Sequence, residues 1–340
     1  MRKKISVSLC LVLLVLPGLL FAAGTKEKSS VGGWKPTKTI TLVVPWGAGG
    51  SSDLTARILA GEMENRLGVK IAVVNQPGAS GATGTKAAFE APKDGYTWVG
   101  NADMSIATYQ ILDLLPEISH RDWQAYLGIL TPCVITVNPD SPIKDWDGLV
   151  HAFKTREVAV ASAGIGAGGH VAAETFVKYI GTKYKHVPYK GGNPAVVATV
   201  SGETEVVMQL SQEVADMLRA KKLRAIAVMD NKPLMITGLD LIPPITNYIK
   251  EFPTVAFHFG LFIPRGIPQE AQDSISEAFA VAVQSKALKD MAEQKASIAV
   301  DIKGKEADTV MENAASLFSW LLFDTHVTKI SPEKLGIPRP

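Results

Sequence analysis

The sequence contains little cysteine, and this scarcity excludes folds that depend on disulfides or on thiolate metal sites. Only Cys10 and Cys133 occur among 340 residues. Cys10 lies within an apolar N-terminal run, so a chain that loses this run keeps one thiol and cannot form an intramolecular disulfide. Cys133 lies in an apolar, strand-like stretch, which predicts a buried small hydrophobic residue rather than a reactive thiol.

Motifs for metal, nucleotide and hydrolytic chemistry are also absent. The six histidines lie far apart, and no His, Cys, Asp or Glu cluster has metal-ligand spacing, so we expect no metal and no cofactor. No glycine-rich stretch ends in Gly-Lys-Ser/Thr, and only Gly164-x-Gly166-x-x-Gly169 has the bare dinucleotide-binding spacing. The G-x-S-x-G motif of serine hydrolases is missing. Lysine and arginine nearly balance aspartate and glutamate, which gives no indication of nucleic acid as a partner.

The N-terminus has the three parts of a secretory signal peptide. Basic residues at positions 2–4 precede an apolar run over residues 9–20, and small residues follow. We predict a cleaved signal peptide over residues 1–23 and a polar tether over residues 24–33, with an uncleaved N-terminal anchor as the alternative. Cleavage would remove three basic residues and no acid, which changes the formal charge of +2 to about −1. No second run reaches transmembrane length, so we expect a soluble, periplasmic monomer.

Short β-rich runs alternate with helical patterns through the rest of the chain. Residues 39–44 form one such run, and the helical stripe after it ends at Gly68, a residue type that favours a left-handed helix C-cap. Residues 158–163 form another, and the helical pattern after it ends at Gly181. This alternation predicts an α/β fold with helix-covered parallel sheets. The two strand–loop–helix units lie about 120 residues apart, one domain length, which predicts two lobes that share a cleft.

The first glycine-rich loop covers residues 45–53 and opens a helix. Its glycines allow the backbone to approach a ligand closely, and Ser51, Ser52 and Asp53 are helix N-cap residue types. The free amides and the dipole of a helix N-terminus favour an anion there. An ordinary strand-to-helix connection, in which the serines only cap the helix, remains the alternative. Trp46 either packs on the ligand or covers the lobe.

The second glycine-rich loop covers residues 162–170 and again opens a helix. Two such loops, one from each lobe, predict a pincer that holds an anion between them. Because neither loop contains Lys or Arg, backbone amides would neutralise the charge. His170 lies at the helix start, where the dipole lowers its basicity, so we expect a neutral imidazole. A structural cap or a core histidine is an equal alternative for this residue.

At these loops the sequence resembles the TctC-like, or Bug, family, the extracytoplasmic solute receptors of tripartite tricarboxylate transporters. The resemblance runs in colinear order over nearly all of the chain after the tether. It is carried by residues 34–53, 74–81, 92–97, 162–170, 187–192, 223–228 and 259–268. It implies a two-lobed periplasmic binding protein of the Venus-flytrap, type II-like class, with crossing strands between the lobes. We assign residues 34–132 and 232–340 to lobe 1 and residues 133–231 to lobe 2.

The resemblance also implies that both loops hold a ligand carboxylate through backbone amides and small hydroxyls. Carried onto this chain, the contacts are Ala48, Gly50, Ser51, Ser52 and Asp53 in the first loop, with Ser162, Gly164, Gly166 and His170 in the second. Trp46 adjoins the first group. Gln209 and Ser211 are further candidates that would contact the distal end of the ligand.

Two positions depart from the family pattern. Many members have Ser or Thr where this chain has Ala167, which removes one hydroxyl. Asp103 places an acid where a Ser/Thr-rich segment often lines the pocket. If Asp103 faces the cleft, it would repel a second carboxylate or favour a ligand with an amine; a solvated helix cap is the slightly favoured alternative.

The function that we expect is the capture of a small organic carboxylate and its delivery to the membrane permease subunits of such a transporter. Closure of the lobes around the anion would present the loaded receptor. No residue is expected to be catalytic. Two alternatives remain open, a receptor that presents its ligand to a sensor kinase and a secreted enzyme on the same scaffold.

Overall fold

The computed structural model describes residues 34–340, which contain ten β-strands and ten α-helices. The predicted signal peptide and tether lie outside the described residues. The strands are β1 (Ile40–Val44), β2 (Ile71–Asn75), β3 (Thr97–Ala102), β4 (Trp123–Val137), β5 (Ala159–Ser162), β6 (Lys185–Pro188), β7 (Val206–Leu210), β8 (Arg224–Val228), β9 (Ala256–Pro264) and β10 (Ile298–Lys303). The helices are α1 (Ser51–Leu67), α2 (Ala82–Phe89), α3 (Asp103–Thr108), α4 (Trp146–Thr155), α5 (Gly168–Ile180), α6 (Gly192–Val200), α7 (Ser211–Arg219), α8 (Gln269–Ala282), α9 (Lys286–Gln294) and α10 (Gly304–Asp324).

Strand β4 belongs to two sheets. Its residues 123–132 pair antiparallel with β9, and its residues 133–137 pair antiparallel with β7 and β8. The change of partner falls between Pro132, which lies opposite Ala256, and Cys133, which lies opposite Leu210. One continuous strand therefore joins the two sheets. We call the sheet that contains β1, with its helices, the first lobe, and the sheet that contains β5, with its helices, the second lobe.

The two sheets repeat one arrangement. In the first lobe, β2, β1 and β3 are parallel and β9 adds antiparallel to β3. In the second lobe, β6, β5 and β7 are parallel and β4 adds antiparallel to β7. Each glycine-rich loop therefore leaves the carboxyl end of the middle parallel strand, which is where open α/β sheets bind ligands.

Local sequence explains the elements that carry the loops. Strand β1 consists mainly of β-branched and aliphatic residues, and four of its five side chains are buried. Helix α1 buries Leu59 and Met63 completely and ends at Gly68 with φ of 73°. Helix α5 ends at Gly181 with φ of 68°. The left-handed C-cap predicted at Gly68 is confirmed, and the predicted helix end at Gly181 has the same conformation.

The predicted α/β class with two lobes and a crossing strand is confirmed, but within β4 the sequence indicated only the strand-like stretch around Cys133. Gly128 and Pro132 interrupt the strand pattern before that point, and both are residue types that weaken a strand assignment. In the structure, Gly128 lies at a register shift opposite β9, and Pro132 lies where β4 leaves the first sheet. Strand β10 was not predicted from the sequence either. The residue boundaries assigned to the lobes stay a prediction.

The thiol at the point where β4 changes sheets is inaccessible. Cys133 has no solvent-exposed surface, as the apolar flanks predicted. Burial, with the nearby charge of Glu213, raises the pKa of this thiol well above its ordinary value. Within residues 34–340, no helix combines the length and the apolar character that crossing a membrane requires.

The close contact between β4 and β9 gives a test of this pairing. A Cβ atom at Gly260 would lie 1.9 Å from the carbonyl oxygen of Tyr126, a backbone atom. We expect Gly260→Ala to lower the free energy of unfolding by about 3 kcal/mol, because the added methyl group forces the strands apart. Gly61→Ala in α1 is the control, since its methyl group meets no atom within 4 Å; it should raise stability by about 0.5–1 kcal/mol. Urea denaturation measures both, and equal stability of the two variants contradicts the pairing.

Candidate functional site

Junctions between strands and helices of both lobes line one small cavity. The first lobe contributes the segments after β1 and β3, and the second lobe contributes those after β5, β6 and β7. The free volume is about 30 Å³, room for no more than about two water molecules. The lining residues are Trp46, Gly47, Gly50, Ser51, Ser52, Ala102, Met104, Ser105, Ala163, Ala167, Gly168, Gly192, Gln209, Leu210, Glu213 and Phe259.

The first amide of α1 is bound by a carboxylate from the opposite lobe. The N-cap of α1 is Gly50, which has no side chain to cap the helix, so the serines do not have the capping role considered from the sequence. The backbone N–H of Ser51 donates instead to Oε1 of Glu213, at 2.8 Å. Glu213 lies in the first turn of α7. The anion position predicted at this helix N-terminus is therefore occupied by a carboxylate of the protein itself.

Glu213 is the only residue with an ionisable side chain among those that line the cavity. Burial raises the pKa of its carboxyl group, more than the hydrogen bond from the Ser51 N–H lowers it. No Lys, Arg or His contributes to the lining. The electrostatics of the cavity thus rest on backbone dipoles and on this one acid.

Asp53 holds the first loop in place and does not line the cavity. Its Oδ2 accepts from the N–H of Gly49 and its Oδ1 from the side-chain amide of Asn75, both at 2.8 Å. The guanidinium of Arg57 forms an ion pair with it at 2.9 Å. Burial raises the pKa of Asp53, but these hydrogen bonds outweigh burial and lower it below the ordinary value. Asp53 is thus an ionised positioning residue for the loop.

The second loop binds two of its own amides. The N–H of Gly164 donates to Oγ of Ser162, and the N–H of Gly166 donates to Nδ1 of His170, both at 3.1 Å. The His170 ring stacks on His186 with centroids 4.1 Å apart, and Nε2 of His186 lies 2.6 Å from Oγ of Ser162. These side chains therefore hold the loop conformation from behind, outside the cavity lining.

Both stacked histidines are neutral near pH 7. Burial lowers the pKa of His170 from 6.5 to about 3, and the neighbouring His186 contributes to the same shift. Burial lowers the pKa of His186 from 6.5 to about 4. The neutral imidazole expected at position 170 is present, but burial rather than the helix dipole is its main cause.

Glycines allow the two lobes to touch across the cleft. A Cβ atom at Gly49 would lie 2.7 Å from Nδ2 of Asn193, and one at Gly164 would lie 2.8 Å from Oγ of Ser80. Each contact joins a loop of one lobe to the other lobe. Both glycines also have positive φ, at 78° and 139°. The sequence suggested that these glycines let the backbone approach a ligand; in the structure they let the backbone approach the opposite lobe.

The residues predicted to bind the ligand fall into two groups. Those that line the cavity are Trp46, Gly50, Ser51, Ser52 and Gln209. Those that do not line it are Ala48, Asp53, Ser162, Gly164, Gly166 and His170. Ala48 is exposed, and the others of the second group support their own loops through the bonds described above. Ligand contacts of both groups stay predictions.

The acid of the cleft is not Asp103. Its Oδ2 lies 2.8 Å from Nδ1 of His258 and its side chain is buried, so it is neither solvated nor part of the cavity lining. Ser211 also lies outside the lining, with its hydroxyl 2.8 Å from that of Thr131. Ala167 does line the cavity as the N-cap of α5, so the hydroxyl typical of the family is missing at this point.

Sequence reasoning missed Glu213 and the loop that contains Gly192. An acid in the first turn of a helix that follows a strand was the available signal for Glu213, since that helix start faces the same cleft as the glycine-rich loops. Gly192 ends the 187–192 motif, which was recognised as a family segment but not as part of a site. In the described chain, 34–340, no group of three or more His, Cys, Asp or Glu side chains could hold a metal ion.

Comparison with known proteins identifies the family. Residues 55–315 match the family described as "Tripartite tricarboxylate transporter family receptor". The chain belongs to this family. It is 29% identical over 263 residues to protein BugT of Bordetella pertussis, an alignment that covers 74% of this chain and 78% of BugT. The resemblance found in the sequence is thus confirmed, as is its interpretation as a receptor rather than an enzyme.

Solved structures share the fold. One described as a periplasmic transporter is 27% identical, covers 88% of this chain and 100% of its own, and superposes with a TM-score of 0.77. MatC of Rhodopseudomonas palustris with bound malate is 21% identical, with coverage of 84% and 99% and a TM-score of 0.76. An R. palustris protein with adipate, Rpa4515, is 22% identical, with coverage of 86% and 98% and a TM-score of 0.79. The fold of this chain is therefore that of periplasmic binding proteins.

The stacked histidines predict an acid-sensitive fold. Their folded pKa values lie below the ordinary 6.5, so the unfolded chain binds more protons below that pH, and stability present above pH 6.5 is lost as the pH falls. Each histidine contributes a slope of up to about 1.4 kcal/mol per pH unit. We expect urea denaturation between pH 6.5 and 5 to show this loss, and His186→Gln to reduce it. His151→Gln, at an exposed histidine, is the control; equal pH dependence in both variants contradicts the assignment.

Proposed function

We propose that this protein captures a small organic carboxylate in the periplasm and delivers it to the permease subunits of a tripartite tricarboxylate transporter. One observation carries the proposal. In a cavity without basic side chains, the N-terminus of α1 already binds a carboxylate, that of Glu213, through the Ser51 N–H. A ligand carboxylate has the same charge and the same acceptor geometry, so it suits the same amide.

The family and its structural neighbours support the ligand class. The receptor family is named for tricarboxylate transport, and the neighbours with malate and adipate hold small dicarboxylates. In this chain the hydroxyls of Ser51 and Ser52 and the side chain of Gln209 would contact the ligand beside the α1 amide. The second loop, which Gly166 and His170 support from outside the cavity lining, would contact the other side of the ligand.

Ligand entry requires the lobes to separate. A free volume of about 30 Å³ is too small for a four-carbon acid, and the loops approach the opposite lobe closely at Gly49 and Gly164. We infer hinge opening near the point where β4 changes sheets, with the lobe boundaries assigned from the sequence. Closure on the ligand would then give the form that the permease recognises.

The cellular context belongs to the same proposal. The N-terminal pattern of residues 1–23 would direct export and be cleaved, which places the mature chain in the periplasm as a monomer. A periplasmic receptor passes its ligand to membrane subunits, and in a tripartite transporter those subunits would receive it from this protein. Delivery to those subunits is tested by transport in cells that carry or lack the receptor.

A thermal-shift screen of the mature chain tests carboxylate binding. Mono-, di- and tricarboxylates, amino acids and aromatic acids are compared at equal concentration. A ligand present at 100 times its dissociation constant should add about 2.7 kcal/mol to stability, which raises the unfolding midpoint visibly. If no carboxylate raises the midpoint, the proposed function is wrong.

Two serine variants then test the site. Ser51 and Ser319 are both buried, and neither hydroxyl has a hydrogen-bond partner within residues 34–340. Only Ser51 lines the cavity. A hydrogen bond to a charged group contributes about 1.5–3 kcal/mol, so Ser51→Ala should weaken binding of the best acid at least about tenfold. Ser319→Ala should leave affinity unchanged in calorimetry, and equal affinities for the two variants contradict the site.

A further inference from the structure

The cavity contains more hydrogen-bond acceptors than the protein satisfies. Oε2 of Glu213, Oε1 of Gln209 and the hydroxyl of Ser51 have no hydrogen-bond partner within the described chain. All three residues are at least nine-tenths buried and line the cavity. The Gln209 oxygen and an ionised Glu213 carboxylate only accept, so the Ser51 hydroxyl is the one donor among these three unpartnered groups.

Glycines shape the space around the Glu213 carboxylate. A Cβ atom at Gly192 would lie 2.0 Å from Oε2 of Glu213, and one at Gly50 would lie 3.2 Å from Oε1. The carboxylate is therefore held between backbone segments of both lobes rather than free in a wide pocket. Its one hydrogen bond, from the Ser51 N–H, leaves Oε2 unpartnered.

A buried carboxylate without a cation is costly, because its charge loses the solvation of water. No basic side chain lines the cavity to compensate for it. A second carboxylate next to Glu213 would add repulsion between like charges, whereas a protonated amine would supply both the missing donors and the opposite charge. The cavity therefore discriminates between these two kinds of ligand group.

We infer that Glu213 is a specificity-determining residue that selects carboxylates with a protonated amine. The inference rests on the proposed function. The ligand carboxylate takes the Ser51 N–H, and the ammonium group pairs with the displaced Glu213 carboxylate beside it. The preference for an amine that the sequence suggested at Asp103 is thereby assigned to a different acid, on α7.

Matched pairs of acids test the inference. Calorimetry at pH 7 compares succinate with aspartate, which differ by one amino group, and butyrate with 4-aminobutyrate, which differ in the same way. The amino-bearing member of at least one pair should bind ten or more times tighter, a difference of about 1.4 kcal/mol or more. This ratio in the unmodified protein decides the inference even without a variant.

Glu213→Gln removes the charge and keeps the side-chain shape and the acceptor for the Ser51 N–H. The ratio of the affinity for the amino-bearing acid to that for its partner without an amine should fall towards one in this variant. Thermal unfolding checks that the variant is folded. Glu270→Gln is the control, since it removes one charge from an exposed residue of α8 outside the cavity. It should keep the ratio of the unmodified protein.

The outcomes separate the two proposals. If acids without an amine bind as tightly as their amino derivatives, or if Glu213→Gln leaves a high ratio unchanged, Glu213 has another role, such as holding the lobes closed, and the inference is overturned while the proposed function stands. If none of the four acids binds and the wider carboxylate screen is also negative, both are wrong.

Discussion

The structure depends on one constraint, the continuity of β4 through two sheets. Because the strand pairs with β9 before Pro132 and with β7 from Cys133 onwards, both sheets are built on a common backbone. The shared strand fixes the orientation of each sheet, and so the direction in which the glycine-rich loop follows the middle parallel strand of each lobe. The two loops therefore meet at one place, and the remaining elements serve to hold them there. Cys133 is fully buried at the change of sheet and behaves there as a small hydrophobic residue.

The electrostatics of the cleft follow from what surrounds it. Helix N-termini offer amides with partial positive charge, and no basic side chain adds to them in the cavity lining. Directional dipoles of this kind can hold a carboxylate without a basic side chain. Glu213 places an acid within hydrogen-bond distance of one of these amides, that of Ser51. On the inference drawn above, the site offers two neighbouring positions, an amide for a carboxylate and Glu213 for an amine.

Much of the fold and part of the site could be predicted from the sequence. The β-rich run before each loop and the glycine after each helix carry local signals, so β1, α1, β5 and α5 were predicted correctly. Strand β4 was predicted only in part, because its pairing depends on distant strands that override Gly128 and Pro132. In the site, Ser51 was found through its helix start. Glu213 was missed because its position in the first turn of α7 is only a weak local signal, and local sequence carries no information on the amide of the opposite lobe that it contacts.

The glycines where the lobes approach each other bear on the proposed balance between open and closed forms of the receptor. A Cβ atom at Gly49 or Gly164 would meet the end of a side chain of the opposite lobe, and both glycines have a positive φ that other residues rarely adopt. The close approach of the two lobes therefore depends on residues that have no side chain. If the lobes open and close as proposed, a methyl group at either position would strain the loop in the closed form and favour the open form, without contacting the ligand. The apparent affinity would then fall in proportion to the closed fraction, so evolution can adjust ligand retention at these positions independently of ligand choice.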